Sequence, residues 1–419
     1  MIDRSRRAVA WCAAVVAAAC GCGLWLLPER AVAQLQVDII DGVTAPIPLA
    51  IEDFAEDPQA AAGVIRQDLG RSGRFVIGAR TASDYLLAGR AALAADGRIT
   101  YDYELTNLLT GQRLLREQVV AAPASWRNAA HRISDRIHLA VIGSRSAFAT
   151  RIAYVAVDGV PPTRRYQLIV ADADGENPRV VLRSRLPLMS PAWSPDGESL
   201  AYVSFETRAA AVYVQKISSA ERRRVSGRAG VNNAPAWSPD GRRLALTLSS
   251  LGGNLDVHVL DLASGQLLRV TDHPAIDTEP VWSPDGSRLF FTSDRAGGPQ
   301  VYRAAPEAGA AAQRITFLGT YNARPRVSPD GRLLAHVTRS DGAYRIAVQD
   351  LIKGGVRVLS RGGQDESPAF SPDGGTLIFA TREGNQGVLA TVGLDGARLQ
   401  GLTAVRGEVR EPAWGPFLP

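Results

Sequence analysis

Five aspartates, Asp196, Asp240, Asp285, Asp330 and Asp373, stand in register along the chain, 43 to 45 residues apart and each between a proline and a glycine. Repeated carboxylates invite a metal-ligand assignment. The Pro-Asp-Gly setting argues for another role: proline fixes φ at the first central position of a tight turn and glycine supplies the left-handed residue, so these aspartates read as turn residues. The five histidines, His131, His138, His258, His273 and His336, lie far apart. His131 and His138 fall seven residues apart on one face of an expected helix and are assigned as solvated or capping side chains. Asp172-Ala-Asp174-Gly175-Glu-Asn177 superficially matches a calcium loop, but its glycine comes two positions early, and it is assigned to a hairpin turn. No G-x-S-x-G elbow, H-E-x-x-H or P-loop occurs. Thus no catalytic residue, no metal site and no cofactor are expected.

The elements carrying these aspartates are the strongest signal in the chain. Pro191-Ala-Trp-Ser-Pro-Asp-Gly197 recurs from Pro235, Pro280, Pro325 and Pro368, and fades at Pro412-Ala-Trp-Gly-Pro-Phe417. A period near 44 residues is that of a four-stranded propeller blade. In each unit Pro-x-Trp is an entering strand, Ser-Pro-Asp-Gly a turn, and an apolar strand such as Leu200–Ser204 or Leu289–Ser293 follows. Third strands (Ala211–Ile217, Asp256–Leu260, Gln300–Ala304, Arg345–Gln349) and fourth strands (Arg222–Val225, Gln313–Thr316) complete it. Pro412–Trp414 is an entering strand with nothing after it, and Arg151–Val155 is a second strand with nothing before it. Pairing them closes a six-bladed ring without a free edge. Trp193, Trp237, Trp282 and Trp414 are assigned to packing between blades, and a cation in the channel is left open.

Before the ring, residues 34–149 read as an α+β domain of about a hundred residues, a normal domain size. Leu35–Ile40, Pro48–Phe54, Tyr85–Ala91, Ile99–Leu105 and Gln112–Val120 are expected strands. Pro58–Arg71 is an expected helix, and a second, capped by Ser125, runs through Ile142. The division is therefore 1–33 as an export signal, 34–149, and 150–419 as the propeller. Arg4, Arg6 and Arg7, the apolar run Ala8–Leu27 and Ala31-Val32-Ala33 fit a signal cleaved before Gln34. Cys12, Cys20 and Cys22 all lie in that segment, which removes disulfides and Cys-ligated zinc from the rest. The net charge of +5 falls to +3 once residues 1–33, with four arginines and two acids, are set aside. That charge is scattered in sequence, which argues against a nucleic-acid partner.

The loops entering each blade must ring one face of the channel. They contain Met189 and Ser190, Asn232 and Asn233, Thr278 and Glu279, Tyr321 and Asn322, Asp365 and Glu366, and Glu411. Loops between second and third strands, with Phe205, Asp294 and Arg295, share that face beside Thr292. Amides, carboxylates and a few apolar groups form the kind of rim that recognises a protein or peptide. Ordinary polar loops are the competing assignment.

Leu188-Met-Ser-Pro-Ala-Trp-Ser-Pro-Asp-Gly197, Thr278-Glu-Pro-Val-Trp282, Phe291-Thr-Ser-Asp-Arg-Ala-Gly-Gly-Pro-Gln-Val-Tyr302 and Thr150-Arg-Ile-Ala-Tyr154 resemble the TolB family of the Tol–Pal envelope system, as does the start Leu35–Asp41. The resemblance covers nearly all of residues 34–419. It implies a periplasmic, non-enzymatic adaptor that serves outer-membrane invagination at cell division and envelope integrity. The lipoprotein Pal would bind across the channel face, through the rim residues above and Thr292, with Asn232, Asn233, Thr292 and Glu279 foremost. TolA would be engaged by the tip Gln34, Leu35, Gln36, Val37, Asp38, Ile39, Ile40, Asp41 and Gly42, as an added strand. Other envelope proteins are possible further partners, and attachment to the outer membrane is peripheral, through Pal. Two rivals are the propeller half of a prolyl-oligopeptidase-type hydrolase and a glycan- or small-ligand-binding propeller. The first lacks a hydrolase domain here, and the second wants more channel aromatics than Tyr321.

Overall fold

The computed structural model describes residues 45–249, 253–396, 399–402 and 407–418. The first described part is a five-stranded sheet of β1 (Ile47–Ile51), β2 (Phe75–Ile77), β3 (Tyr85–Leu93), β4 (Ile99–Asn107) and β5 (Arg113–Ala121), in the order β2-β1-β3-β4-β5. β1 is parallel to both neighbours and the rest is antiparallel. Helices α1 (Ala61–Ser72) and α2 (Trp126–Ile142) cover it, burying Ile65, Leu69, Ile133 and Ile137 against Tyr101 and Leu105. The alternation of Ile99, Tyr101, Tyr103 and Leu105 with polar residues on β4 puts one sheet face inward.

Two sequence assignments shift here and one short strand was not foreseen. α1 begins at Ala61, not Pro58, because the Asp57 carboxylate takes the Gln59 and Ala61 amides and holds a turn ahead of it. Ser125 stands before α2, but its hydroxyl donates to the Ala122 carbonyl in a preceding 3₁₀ turn and caps nothing. The three-residue strand β2 was too short to show a period of two. The expected strand Leu35–Ile40 lies outside the described residues.

Six four-stranded sheets follow. Blade 1 joins Glu408–Trp414 to Arg151–Asp158, Arg165–Asp172 and Arg179–Ser184. Blades 2 to 6 begin with the inner strands Leu188–Trp193, Asn232–Trp237, Asp277–Trp282, Asn322–Val327 and Glu366–Phe370, each continued outward by the next three strands. Ring closure is as expected: Glu408 faces Val157 and Trp414 faces Ile152 in an antiparallel pair. The apolar core is divided into layers between neighbouring blades. Leu200 and Tyr202 pack on Val155 and Val170, Trp282 and Phe291 on Val257 and Val259, and Ile378 and Leu389 on Ile152 and Tyr154.

The tryptophans staple blades together. Trp193 Nε1 donates to the Ala413 carbonyl, Trp237 to Ala192 and Trp282 to Ala236, each at 3.2 Å. In the turns, serine hydroxyls donate to the aspartates, as Ser238 to Asp240 at 2.5 Å, and the aspartates also take backbone amides. The turn glycine packs on the preceding blade's proline. Gly197, at φ 70°, leaves a would-be Cβ only 3.2 Å from Pro416, which fills that place for blade 2.

The turns mark one end of the wheel, and α2 sits against it. Arg127 reaches Asp172 and Asp174 in blade 1, and the Arg145 guanidinium lies 3.6 Å from the centre of the Phe417 ring. Strand alternation places the entering loops at the opposite end. No helix among the described residues is long and apolar enough to cross a membrane.

Candidate protein-docking face

The residue before the proline of every inner strand is left-handed: Ser190, Ala234, Glu279, Arg324, Ser367 and Glu411 have φ between 48° and 56°. Proline disfavours helical conformations in the residue before it and a side chain disfavours positive φ, so six such residues are a costly feature. The cause is a β-bulge. In each blade the inner strand advances three residues while its partner advances two, as from Asn233 facing Thr247 to Ala236 facing Ala245. The bulges lie towards the loop end and form a ring at the channel mouth.

Two hydrogen-bonded arcs run round this ring. Glu411 accepts the Ser190 amide, and the Ser190 hydroxyl lies 3.3 Å from Asn233 Oδ1. Glu279 Oε2 accepts the Arg324 amide at 3.0 Å and the Thr292 hydroxyl at 2.8 Å, while its other oxygen lies 3.3 Å from Arg324 Nε. Arg324 then donates to Ser367. Burial pushes the Arg324 pKa down, but Glu279, Glu411 and Glu366 outweigh it, so the guanidinium stays charged. One step deeper stands Arg326, where the other blades have Ala192, Ala236, Val281, Ala369 and Ala413. Burial lowers its pKa.

Of the residues nominated from sequence, the structure gathers Ser190, Asn233, Thr278, Glu279, Thr292, Tyr321, Glu366 and Glu411 around the mouth. Thr278 lies 3.3 Å from Thr247, and Tyr321 meets Tyr344 edge-on with centroids 5.2 Å apart. Met189 and Phe205 are half-buried against the layer between blades 2 and 3. Others are braces with their polar atoms turned inward. Asn232 ties Ser226, Arg228 and Gly230 together, and Asn322 joins Gln300 to Leu318. Asp365 accepts the Gly362 amide and the Thr381 hydroxyl. Arg295 grips buried Asp277 with two bonds of 2.8 and 2.9 Å, and Asp294 takes the Ile276 amide at 2.8 Å. The tip 34–42 lies outside the described residues.

Sequence reasoning missed Arg324, Ser367 and Tyr344. The signal was present: all six left-handed positions immediately precede the repeated proline. It also missed a cavity of about 360 Å³ between blades 5, 6 and 1, lined by Tyr321, Tyr344, Arg324, Glu366, Arg382 and Arg410 among others. The histidine assignment is corrected as well. His131 is buried, with Nδ1 2.7 Å from Asp68 on α1, and Nε2 faces Asp172 and Asp174 at 3.7 and 3.9 Å. His138 is buried between Phe75 and Phe148, and its Nδ1 lies 3.0 Å from the Ser144 carbonyl. Asp68, His131 and Asp174 are close enough to hold a cation, but Arg71 and Arg127 already bind the two carboxylates, making the cluster an ionic joint.

A closed ring of six four-stranded blades with a polar, bulged channel mouth defines a six-bladed β-propeller. The family profile described as TolB beta propeller domain matches residues 139–418. The Tol-Pal system protein TolB of Methylococcus capsulatus is 51% identical over 407 residues, covering 92% of this chain and 95% of the relative. That of Thioalkalivibrio sulfidiphilus is 49% identical, covering 94% and 96%. The crystal structure of TolB from Acinetobacter baumannii superposes with a TM-score of 0.84 at 39% identity, covering 92% of this chain and all of that one. The chain belongs to the TolB family, whose named members are components of the Tol-Pal system.

Proposed function

We propose that this chain is a periplasmic, non-enzymatic adaptor of the Tol–Pal system, exported by a cleaved signal. The loop end of the propeller binds the lipoprotein Pal, and residues 34–42 engage TolA by strand addition. Through Pal it is held at the outer membrane, where it supports invagination at division and envelope integrity. The observation that carries this is the ring of six left-handed pre-proline residues at one mouth. Strain maintained in all six blades at one end is the mark of a pre-organised recognition surface. Val231, Ile276, Phe317 and Tyr344 add exposed apolar area at that end. Asn233, Glu279, Thr292 and Glu366 are foremost among the contacts, with Asn232 holding the loop that presents Asn233.

Titration calorimetry with the soluble domain of Pal tests this. The unaltered chain binds it, and E279A weakens binding by about tenfold or more, the loss of one hot-spot contact, without moving the thermal midpoint by more than a few degrees. Absence of binding by the unaltered chain sinks the proposal. Removing residues 34–42 abolishes TolA capture and alters Pal affinity; an unchanged Pal affinity would refute coupling between the two ends.

A further inference from the structure

The positive charge that looks scattered in sequence is concentrated by the fold. Residues 151–230, covering most of blades 1 and 2, contain twelve Lys and Arg against eight Asp and Glu. Their fourth strands, Arg179–Ser184 and Arg222–Ser226, form the outer rim of the wheel. Ser184 faces Tyr166 and Ser226 faces Val212, so the chain on either side reaches the loop end together. Arg165, Arg183 and Arg185 of blade 1 thereby share a corner at that end with Arg224 and Arg228 of blade 2, while Arg223 turns the other way, to the Leu262 carbonyl of blade 3. The five are exposed. Among the described residues none of them makes an ion pair, whereas their neighbour Arg222 is paired with Glu206 at 2.7 Å.

Charges on an edge strand have an ordinary purpose: they prevent edge-to-edge association. One arginine or none suffices for that on the fourth strands of blades 3 to 6, Leu267–Arg269, Gln313–Arg314, Val356–Val358 and Leu399–Leu402. The surplus on blades 1 and 2 needs another reason. At the same corner Val160 is 70% exposed and Leu186 37% exposed. Unpaired cations beside exposed aliphatic groups are the combination that seats a protein in a headgroup layer.

We propose that this corner docks on an anionic phospholipid surface, its guanidiniums meeting lipid phosphates and Val160 and Leu186 entering the headgroup layer. Guanidinium forks suit phosphate oxygens. A single-stranded nucleic acid fits less well, because neither exposed apolar side chain is aromatic and there is no stacking platform. An acidic protein would favour a groove, whereas these cations lie on an outer rim.

Vesicle flotation with the protein purified after export decides it. The chain floats with phosphatidylcholine vesicles containing about 30% phosphatidylglycerol and not with phosphatidylcholine alone, and added salt releases it as screening shortens. R183E/R185E/R224E lowers the bound fraction at least about tenfold, and V160D lowers it less. Equal flotation with both vesicle types, none with either, or a triple variant that floats like the unaltered chain overturns the proposal. Should the triple variant misfold, R185E alone and the salt dependence of the unaltered chain decide between the same two outcomes. Retention on polyglutamate beads without vesicle binding assigns the corner to an acidic protein instead. The assay contains no Pal, so its outcome is separate from that of the docking face.

Discussion

Trp414 Nε1 donates to Thr150 Oγ1 at 2.9 Å, joining residues 264 positions apart. Thr150 precedes the second strand of blade 1 and Trp414 ends its inner strand, so this bond locks the end of the ring to its beginning. The other staples join a tryptophan to a carbonyl of the blade before; this one closes the seam where no chain connection exists.

The seam is therefore a point of weakness that can be measured. W414A removes the bond and part of the layer between blades 6 and 1, and is expected to cost about 2–4 kcal/mol in denaturant unfolding. W414F keeps most of the packing and should cost about 1 kcal/mol, the net worth of one hydrogen bond. Equal stability of W414F and the unaltered chain would show that packing alone closes the ring.

The joint at His131 has an alkaline signature. Burial pushes its pKa down, but Asp68, Asp172 and Asp174 outweigh it and raise the pKa from 6.5 to about 10. A histidine with a folded-state pKa above its unfolded value contributes stability fully below 6.5 and loses it as pH rises towards 10. The stability gap between the unaltered chain and H131Q should shrink across that window, as read from urea unfolding at each pH. A gap constant from pH 6 to 10 would mean that His131 is neutral.

An acid signature of opposite sense belongs to His336 in blade 5. Burial lowers its pKa to about 4, so its contribution is intact above 6.5 and lost as pH falls towards 4, where the unfolded chain takes up the proton. H336L should flatten the acid limb of the stability profile. An acid limb as steep as before would place its origin elsewhere.

Arg295 and Glu366, both nominated as contacts from sequence, should separate cleanly. Arg295 neutralises fully buried Asp277 and also lies 4.9 Å from the centre of the Tyr302 ring. R295A leaves a buried carboxylate unpaired and should cost about 3–5 kcal/mol of stability. E366A, half-buried at the mouth, should leave the thermal midpoint almost unchanged and weaken Pal binding. A stable R295A protein would contradict the brace role.

The blade count, the closing strand and the inter-blade role of the tryptophans were legible because each repeat restates the same local chemistry: a proline-fixed strand, a Pro-Asp-Gly turn, then apolar strands. The rim was legible only as a set of loops. Asn232, Asn322 and Asp365 look like free polar groups in the sequence. Their partners, Gly230, Leu318 and Gly362, lie two to four residues away, and whether a side chain turns back to such a neighbour depends on a loop path that composition does not encode.

The sequence by itself determined the ring, because periodic turns and alternating strands are local and six copies reinforce one another. Only the tertiary structure decided where charge is spent. His131 finds Asp68 from 63 residues away, Glu279 finds Arg324, and the arginines of two blades converge on one corner. Electrostatic partnership depends on distance in space and on exclusion of water, and neither is set by separation along the chain.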